Sequence, residues 1–513
     1  MREPGRGELG LPAMAADSRR FAAIPLKPSL GPLESGLGSL LLVLGSAVII
    51  GVGTGLQARL GVAALLAVVG GLAILLRPTT AVLVMMALAP VTCGLKRGLI
   101  VPLLRPSELL MIGVAVPVLL LTGGRSSTRW RALDVMASLY VVATLGLGAG
   151  DMLARGDRFT AELNGRLIGP LQFFLFYRAI VVTLNNSRLV HQAMRVILFS
   201  SIPISIGALL QFFNIGPTRA FILEMTDSLA MRSIAKGLFR ASSILDHWHA
   251  LGGYMLVIVM LALALLLNEQ QDVMSRRGLI AVLAFATVAI VTTLTLVIIV
   301  GTIVGAIGLG MAARRTKTVL AWLAIGALIS VVSLGPFIAS RLSAQFGTRV
   351  AQASGSEGPS FLPQTVRYRV EVWTNQYLPV VTAHLLTGYG PGVPPDVNWV
   401  YTESVYITLL LRGGVPLLAA YAALMIGGWS LARYVASRGP PTERCAAQAM
   451  MMMILLLVPI QFVNPYFVNT GLPHVLWALF GVVGAAAGCL EQGLDATKRG
   501  STLGVLRFGG SAT

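Results

Sequence analysis

Apolar runs constrain the fold of this chain more than any other feature. They recur along most of its length, and many approach the roughly 20 helical residues needed to cross a hydrocarbon layer about 30 Å thick. One soluble core cannot hide that much apolar surface. Of 513 residues, 55% are hydrophobic and only 12% charged, and the mean hydropathy is +0.79; these values place the chain among polytopic membrane proteins. Inside lipid each backbone N–H and C=O must find a partner within its own segment, and the strict alternation of a membrane barrel is absent. An all-α bundle is therefore expected.

The apolar runs read as spans at 37–56, 60–76, 79–94, 106–122, 132–150, 164–184, 190–212, 249–267, 279–295, 298–312, 318–338, 403–431, 446–463 and 472–490, about fourteen in all. The stretch 279–312 is nearly unbroken and is divided near Thr295 on charge grounds. Lys and Arg favour the cytoplasmic side of short loops. Two spans here keep Arg125, Arg129 and Arg131, Arg276 and Arg277, Arg314, Arg315 and Lys317, Arg433, Arg438 and Arg444, and Lys498 and Arg499 all inside. A single span would expel the Arg314 cluster. Both termini then lie in the cytoplasm, as basic or polar tails over 1–35 and 494–513 flanking a membrane domain over 36–493. Residues 1–35 lack a continuous apolar core and read as a disordered tail, not a cleaved signal. The net charge of +18 is accounted for by loops facing anionic lipid, so no nucleic-acid partner is implied.

Three cysteines, Cys93, Cys445 and Cys489, lie in or beside predicted spans and suggest neither a disulfide framework nor a thiolate metal site. No Walker or dinucleotide glycine pattern is present, so no nucleotide or redox cofactor is expected.

The predicted topology puts loops at about 151–163, 213–248 and 339–402 on the outer face. The last is the large extracytoplasmic loop, and it holds Arg341, Arg349, Arg367 and Arg369 on the side where arginine should be depleted. Arginines kept against that bias point to an anionic ligand. Arg369 and Trp373 are four apart, so on a helix they share a face and present a cation beside a flat ring. That pair suits a phosphate next to a sugar or lipid; the alternative is an interfacial helix anchored by Trp373 and Tyr377. Gly388, Gly390 and Gly392 interleave with Pro391, Pro394 and Pro395 in a shaped turn. Glu403 follows at the start of the next span, three residues before Tyr406, so on a helix the two share a face. It is placed either to cap that helix or to take a proton from a sugar hydroxyl.

At these residues the chain resembles the O-antigen ligase and O-antigen polymerase family of bacterial envelope glycosyltransferases. The resemblance rests on Arg369, Trp373, Gly388 with Gly390, then Glu403, Ser404 and Tyr406, with Gly414 eleven residues after Glu403. Glu403 stands where the family usually has histidine, a departure that looks more like polymerases than ligases of lipid A core. More loosely, SSILDHWHALGGYM, residues 242–255, resembles the family's segment entering a central span.

The resemblance implies a polytopic enzyme of the bacterial inner membrane that uses a polyprenyl-diphosphate-linked oligosaccharide and a glycan acceptor, without metal or cofactor. It implies that Arg367 and Arg369, with Arg341 or Arg349, hold the diphosphate, and that Glu403 activates the acceptor.

Two further readings complete the candidates. Asp246, His247 and His249 invite a metal site, yet three residues of one turn point in different directions; a solvated loop or a substrate-contacting His249 are the alternatives. Arg178, inside the apolar FFLFYRAI, must face a partner, a cavity or the membrane edge. Competing functional classes are a lipid-linked oligosaccharide flippase, which the long outer loop disfavours, and a transferase using a polyprenyl-monophosphate sugar, for which the turn at Gln57 to Arg59 lacks an acid.

Overall fold

A computed structural model describes residues 71, 76–101, 103–122, 130–157, 160–226, 239–346, 364–392 and 402–507. All belong to the compact unit Leu66–Thr513. The predicted spans 37–56 and 60–76 fall mostly outside the described residues, and the tail at 1–35 entirely so. The described chain is helical, and its one β-bridge outside named strands pairs Leu95 with Thr226.

In chain order the helices are α1 (Pro78–Thr92), α2 (Pro106–Thr122), α3 (Ala132–Gly146), α4 (Ala149–Ala154), α5 (Ala161–Thr183), α6 (Ser187–Phe212), α7 (Thr218–Met225), α8 (Trp248–Leu267), α9 (Arg276–Thr292), α10 (Leu296–Ala312), α11 (Thr316–Phe346), α12 (Gln364–Val372), α13 (Leu378–Ala383), α14 (Val405–Arg438), α15 (Pro441–Ile460) and α16 (Leu472–Arg507). A π-helical turn, Trp373–Tyr377, joins α12 to α13. Among the described residues, seven helical stretches are long and apolar enough to cross a membrane: Ala132–Ala154, Gly165–Thr183, Ser187–Phe212, Trp248–Leu267, Val405–Arg438, Pro441–Ile460 and Leu472–Gly493. Four shorter apolar stretches, Pro78–Thr92, Pro106–Thr122, Leu296–Ala312 and Thr316–Val332, accompany them.

The core is built around α8. From Ala250 to Leu267 every residue is buried, and α6, α9, α10, α15 and α16 all pack against it. A helix that is apolar on all sides belongs in the centre, where each face meets another helix. Its start is capped by His247, whose Nδ1 accepts from the His249 backbone N–H at 3.0 Å. Burial, with the Arg240 cation nearby, pushes the His247 imidazole down to about 3, so the ring stays neutral and keeps its lone pair for the cap.

The long apolar run breaks where charge placement asks it to. α9 ends at Thr292, and the chain turns through Leu294 at φ +50° before α10 begins. Arg240 braces this turn: its Nε donates to the Thr293 carbonyl at 2.8 Å and its Nη2 to Thr295 Oγ1 at 2.7 Å.

Two sequence expectations need amending. α16 continues to Arg507, through much of what reads as a polar tail from 494. The stretch predicted as one large loop, 339–402, is partly helix: α11 extends to Phe346 and 364–383 is helical, while 347–363 and 393–401 lie outside the described residues.

α14 is a broken helix. Gly413 (φ −150°, ψ 18°) and Gly414 (φ 64°, ψ −161°) leave the helical region, and Pro416 has no N–H to give. The carbonyls of Leu411 and Arg412 would thus lose their helical donors. Two amides of the Gly388–Gly390 turn replace them, Tyr389 N to Leu411 O at 2.7 Å and Gly390 N to Arg412 O at 2.9 Å. In exchange Val415 N donates to Leu385 O at 2.8 Å. An unsatisfied buried amide or carbonyl costs several kcal/mol, so the docked turn is what permits the break at the buried Gly413 and Gly414. Glycine is required on both sides: a Cβ on Gly388 would lie 2.4 Å from Gly413 N, and one on Gly414 2.3 Å from Leu385 O.

Candidate active site

The docked turn fixes one end of the 364–392 segment to α14. Val372, Tyr377 and Val381 bury themselves against Ile407 and Leu411, so α12, the π turn and α13 lie along the first turns of α14. Arg369 reaches Glu403, with Nε and Nη2 both donating to Oε2 at 3.0 and 2.6 Å. One helical turn on, Trp373 Nε1 donates to the Thr402 carbonyl at 2.8 Å. The four-residue spacing thus directs both side chains onto adjacent residues just ahead of α14.

Glu403 does not cap α14. The helix begins at Val405 with Ser404 as N-cap and no acid in the first turn. Glu403 itself has φ +57°, a left-handed conformation that costs a residue with a Cβ about 1–2 kcal/mol. What holds it there is the rigid start of α14: Val405 N donates to Gln461 O at 3.0 Å, and Arg369 and the Trp373–Thr402 bond hold the other side. Glu403 is thus a strained, partly exposed carboxylate held by an arginine. Because Glu403 lies before the helix, helical spacing does not bring it onto a face with Tyr406. The Tyr406 hydroxyl instead donates to the Val458 carbonyl at 2.7 Å, and its ring packs on Phe462.

The start of α8 comes to the same end of the bundle. His249 Nδ1 lies 3.1 Å from the Tyr466 hydroxyl. Burial pushes the Tyr466 hydroxyl well up, and Arg240, Arg369 and Glu403 are all close enough to act on it electrostatically. Asp246, His247 and His249 go to three different partners: Asp246 pairs with Arg105 at 3.1 Å and accepts from Thr470, His247 caps α8, and His249 meets Tyr466. Among the described residues no group of three or more His, Cys, Asp or Glu side chains is placed to hold a metal ion.

Arg240 is the residue that sequence reasoning passed over. It is 8% exposed and lies 4.3 Å from the Trp248 ring, whose buried Nε1 finds no acceptor among the described residues. The signal was present in the sequence, since Arg240 stands two residues before the 242–255 segment on which the family resemblance partly rests.

The remaining candidates separate. Arg367 is two residues before Arg369 on α12 and so faces away from it along the helix. Arg341 is in α11, its side chain outside what is described, and Arg349 lies outside the described residues. Arg178 belongs to the other end of the bundle and is corrected to a structural role. Its Nη1 donates to Asp134 Oδ1 at 2.6 Å, beneath Trp130. Asp134, fully buried, also accepts from the Tyr177 hydroxyl at 2.9 Å and the Arg131 amide at 2.7 Å. Two surface depressions of about 230 and 390 Å³, the first lined by Arg131, Ser430, Tyr434 and Glu491 and the second by Ser187 and Glu443, also lie at that end and touch neither Glu403 nor Arg369.

No protein-family model matches the chain, and no curated protein matches it either.

Proposed function

We propose that the protein is a membrane glycosyltransferase that joins polyprenyl-diphosphate-linked glycan units to a growing polysaccharide or other acceptor on the outer leaflet. The observation that carries this reading is the Arg369–Glu403 pair: a strained carboxylate and a guanidinium at the mouth of a broken span, with Trp373 beside them. Arg240 and the unpartnered Trp248 indole N–H add a cation and a donor at the same end of the bundle. Guanidinium forks suit phosphate oxygens, and aromatic faces suit the C–H faces of sugars.

The reaction is a direct displacement. Glu403 takes the proton of an acceptor hydroxyl; the oxygen's electron pair forms the new bond to the anomeric carbon of the donor. The bond from that carbon to the diphosphate oxygen breaks, and polyprenyl diphosphate leaves with the electron pair. Its charge is held by Arg369 and Arg240, with Arg367, Arg341 and Arg349 as further candidates. Cations already aimed at a developing anion stabilise it without reorganisation.

The proposed topology has fourteen spans with both termini in the cytoplasm of a bacterium. The end holding Arg131, Arg195, Arg315 and Arg444 faces inward and the Glu403 end faces out, as the positive-inside bias asks. The test is glycan extension by purified, folded protein. Glu403→Gln and Arg369→Ala should each reduce it by 10²-fold or more, the range expected for a general base or a charge-stabilising donor. Full extension by either variant contradicts the reading.

A further inference from the structure

We propose that the end of the bundle opposite Glu403 holds a binding site for a primary ammonium group, built on Glu443 and His191. The site is independent of the transferase reading and does not depend on what reaction Glu403 serves.

The cavity of about 390 Å³ lies there between the start of α6 at Ser187, the start of α15 at Glu443 and a stretch of α16 from Ala486 to Gly493. Small-molecule sites occupy about 300–1,000 Å³. Its walls at Pro440, Ala486 and Leu490 are apolar, and among the described residues lining it Glu443 alone carries a charge. Glu443 is 2% exposed, a depth at which a carboxylate is rarely left unpaired. The groups that act on it are the His191 imidazole, whose Nε2 lies 3.3 Å from Oε1, the Ser187 hydroxyl and its own backbone amide. Among the described residues none of these meets either oxygen in good hydrogen-bond geometry, and His191 Nε2 is itself buried and equally unmet. Three buried polar atoms thus converge with no hydrogen bond between them. Buried polar atoms in native proteins find partners, so what completes these comes from outside the chain.

The chemistry of the three atoms selects the ligand. Water leaves the carboxylate charged beside apolar walls, whereas a cation neutralises it. A metal ion finds too few ligands: among the described residues no group of three or more His, Cys, Asp or Glu side chains is placed to hold one, and hard cations such as calcium take about six to eight oxygens. A primary ammonium brings three N–H donors, which match the two oxygens of Glu443 and the lone pair of a neutral His191 Nε2. Ser187 and His191 are four apart on α6 and share a face. Both α6 and α15 are long and apolar enough to cross a membrane and begin at this end, which puts the cavity at headgroup depth. The exposed Arg188 and Arg444 adjoin Ser187 and Glu443 in sequence and suit a phosphate next to the ammonium. The ammonium belongs either to an ethanolamine lipid or to a soluble amine.

Two arms separate these sources. The full chain in phosphatidylcholine nanodiscs is titrated with ethanolamine and with choline; in nanodiscs of mixed phosphatidylethanolamine and phosphatidylcholine, the lipids that stay bound are counted by native mass spectrometry. The primary ammonium should be preferred over its trimethylated counterpart by about fivefold or more, since methylation removes all three donors. Preference in the first arm assigns a soluble amine, and in the second a lipid. Glu443→Gln keeps the shape and removes the charge, and should weaken binding of the primary ammonium by about tenfold, the worth of a charge-assisted bond. Gly493→Leu adds a side chain to the cavity wall at a position where a Cβ meets nothing within 4 Å. It should weaken binding in the same direction, and it carries the test if the Gln variant does not fold. No preference in either arm, as when a protonated His191 alone answers Glu443, overturns the site. So does a preference that folded Glu443→Gln, or Gly493→Leu in its place, leaves unchanged.

Discussion

The backbone N–H of Gly390 donates to the carbonyl of Arg412 at 2.9 Å, across 22 positions of sequence and into the gap of a broken apolar helix. With Tyr389 to Leu411 and Val415 to Leu385, it makes the 385–390 turn the missing piece of α14. The candidate site hangs from this joint, because the same segment carries Arg369 and Trp373 to the residues ahead of α14.

Gly414→Ala tests the joint. At φ +64° with Leu385 O 2.3 Å from the new Cβ, the substitution adds left-handed strain and a backbone clash that nothing flexible can relieve. A loss of at least about 2 kcal/mol is expected, read as a lower unfolding midpoint in detergent. Gly326→Ala in α11, where a Cβ meets nothing, should leave the midpoint unchanged or raise it.

Arg178→Ala leaves Asp134 buried and charged without its guanidinium. Removing one partner of such a pair costs about 3–5 kcal/mol, so unfolding in denaturant should shift by that order. Glycan transfer per folded molecule should not change. Leu133, beside Asp134, packs on Gly427, which follows Glu403 by 24 residues along α14, a separation on the order of 30 Å at 1.5 Å per residue.

His247 should make stability depend on acid. Its folded pKa, about 3, lies below the ordinary 6.5, so between those values the unfolded chain binds a proton that the folded chain refuses. Stability is fully present above about pH 6.5 and falls by up to about 1.4 kcal/mol per pH unit as the pH drops toward 3. His247→Asn keeps a side-chain oxygen for the cap and should flatten this slope in denaturation curves recorded from pH 7 to pH 4.

The membrane class and most helix limits are legible in the sequence, because apolar run length and basic flanks report directly on lipid crossing. The division near Thr295 is a good example, read from the Arg314 cluster alone. The repair of α14 is not legible in the same way. Gly413 and Gly414 advertise a break, and Gly388 and Gly390 a turn, but only the fold shows that each supplies the other's hydrogen bonds. Helical spacing foretold that Arg369 and Trp373 act together, yet it misplaced Tyr406, since Glu403 precedes the helix and the three-residue rule does not apply to it. Arg178 looked functional because a cation in an apolar run needs a partner. That partner, Asp134, is 44 positions away in sequence and has no local signature.

Trp373→Phe removes the indole N–H that holds the Thr402 carbonyl and keeps the ring. Glu403 loses one of its two lateral supports. Transfer should fall by about tenfold through kcat, with a smaller change in KM, since a neutral hydrogen bond is worth about 1 kcal/mol and its loss here is felt at the reacting group.

The most direct measurement follows the products. Purified protein in proteoliposomes is given a defined polyprenyl-diphosphate oligosaccharide, and the lipid and glycan fractions are separated and sized. The account predicts glycans longer by whole repeat units, one molecule of polyprenyl diphosphate released per new glycosidic bond, and loss of both in Glu403→Gln. Movement of intact donor between leaflets with no new glycosidic bond and no released diphosphate would contradict it and assign the protein to transport.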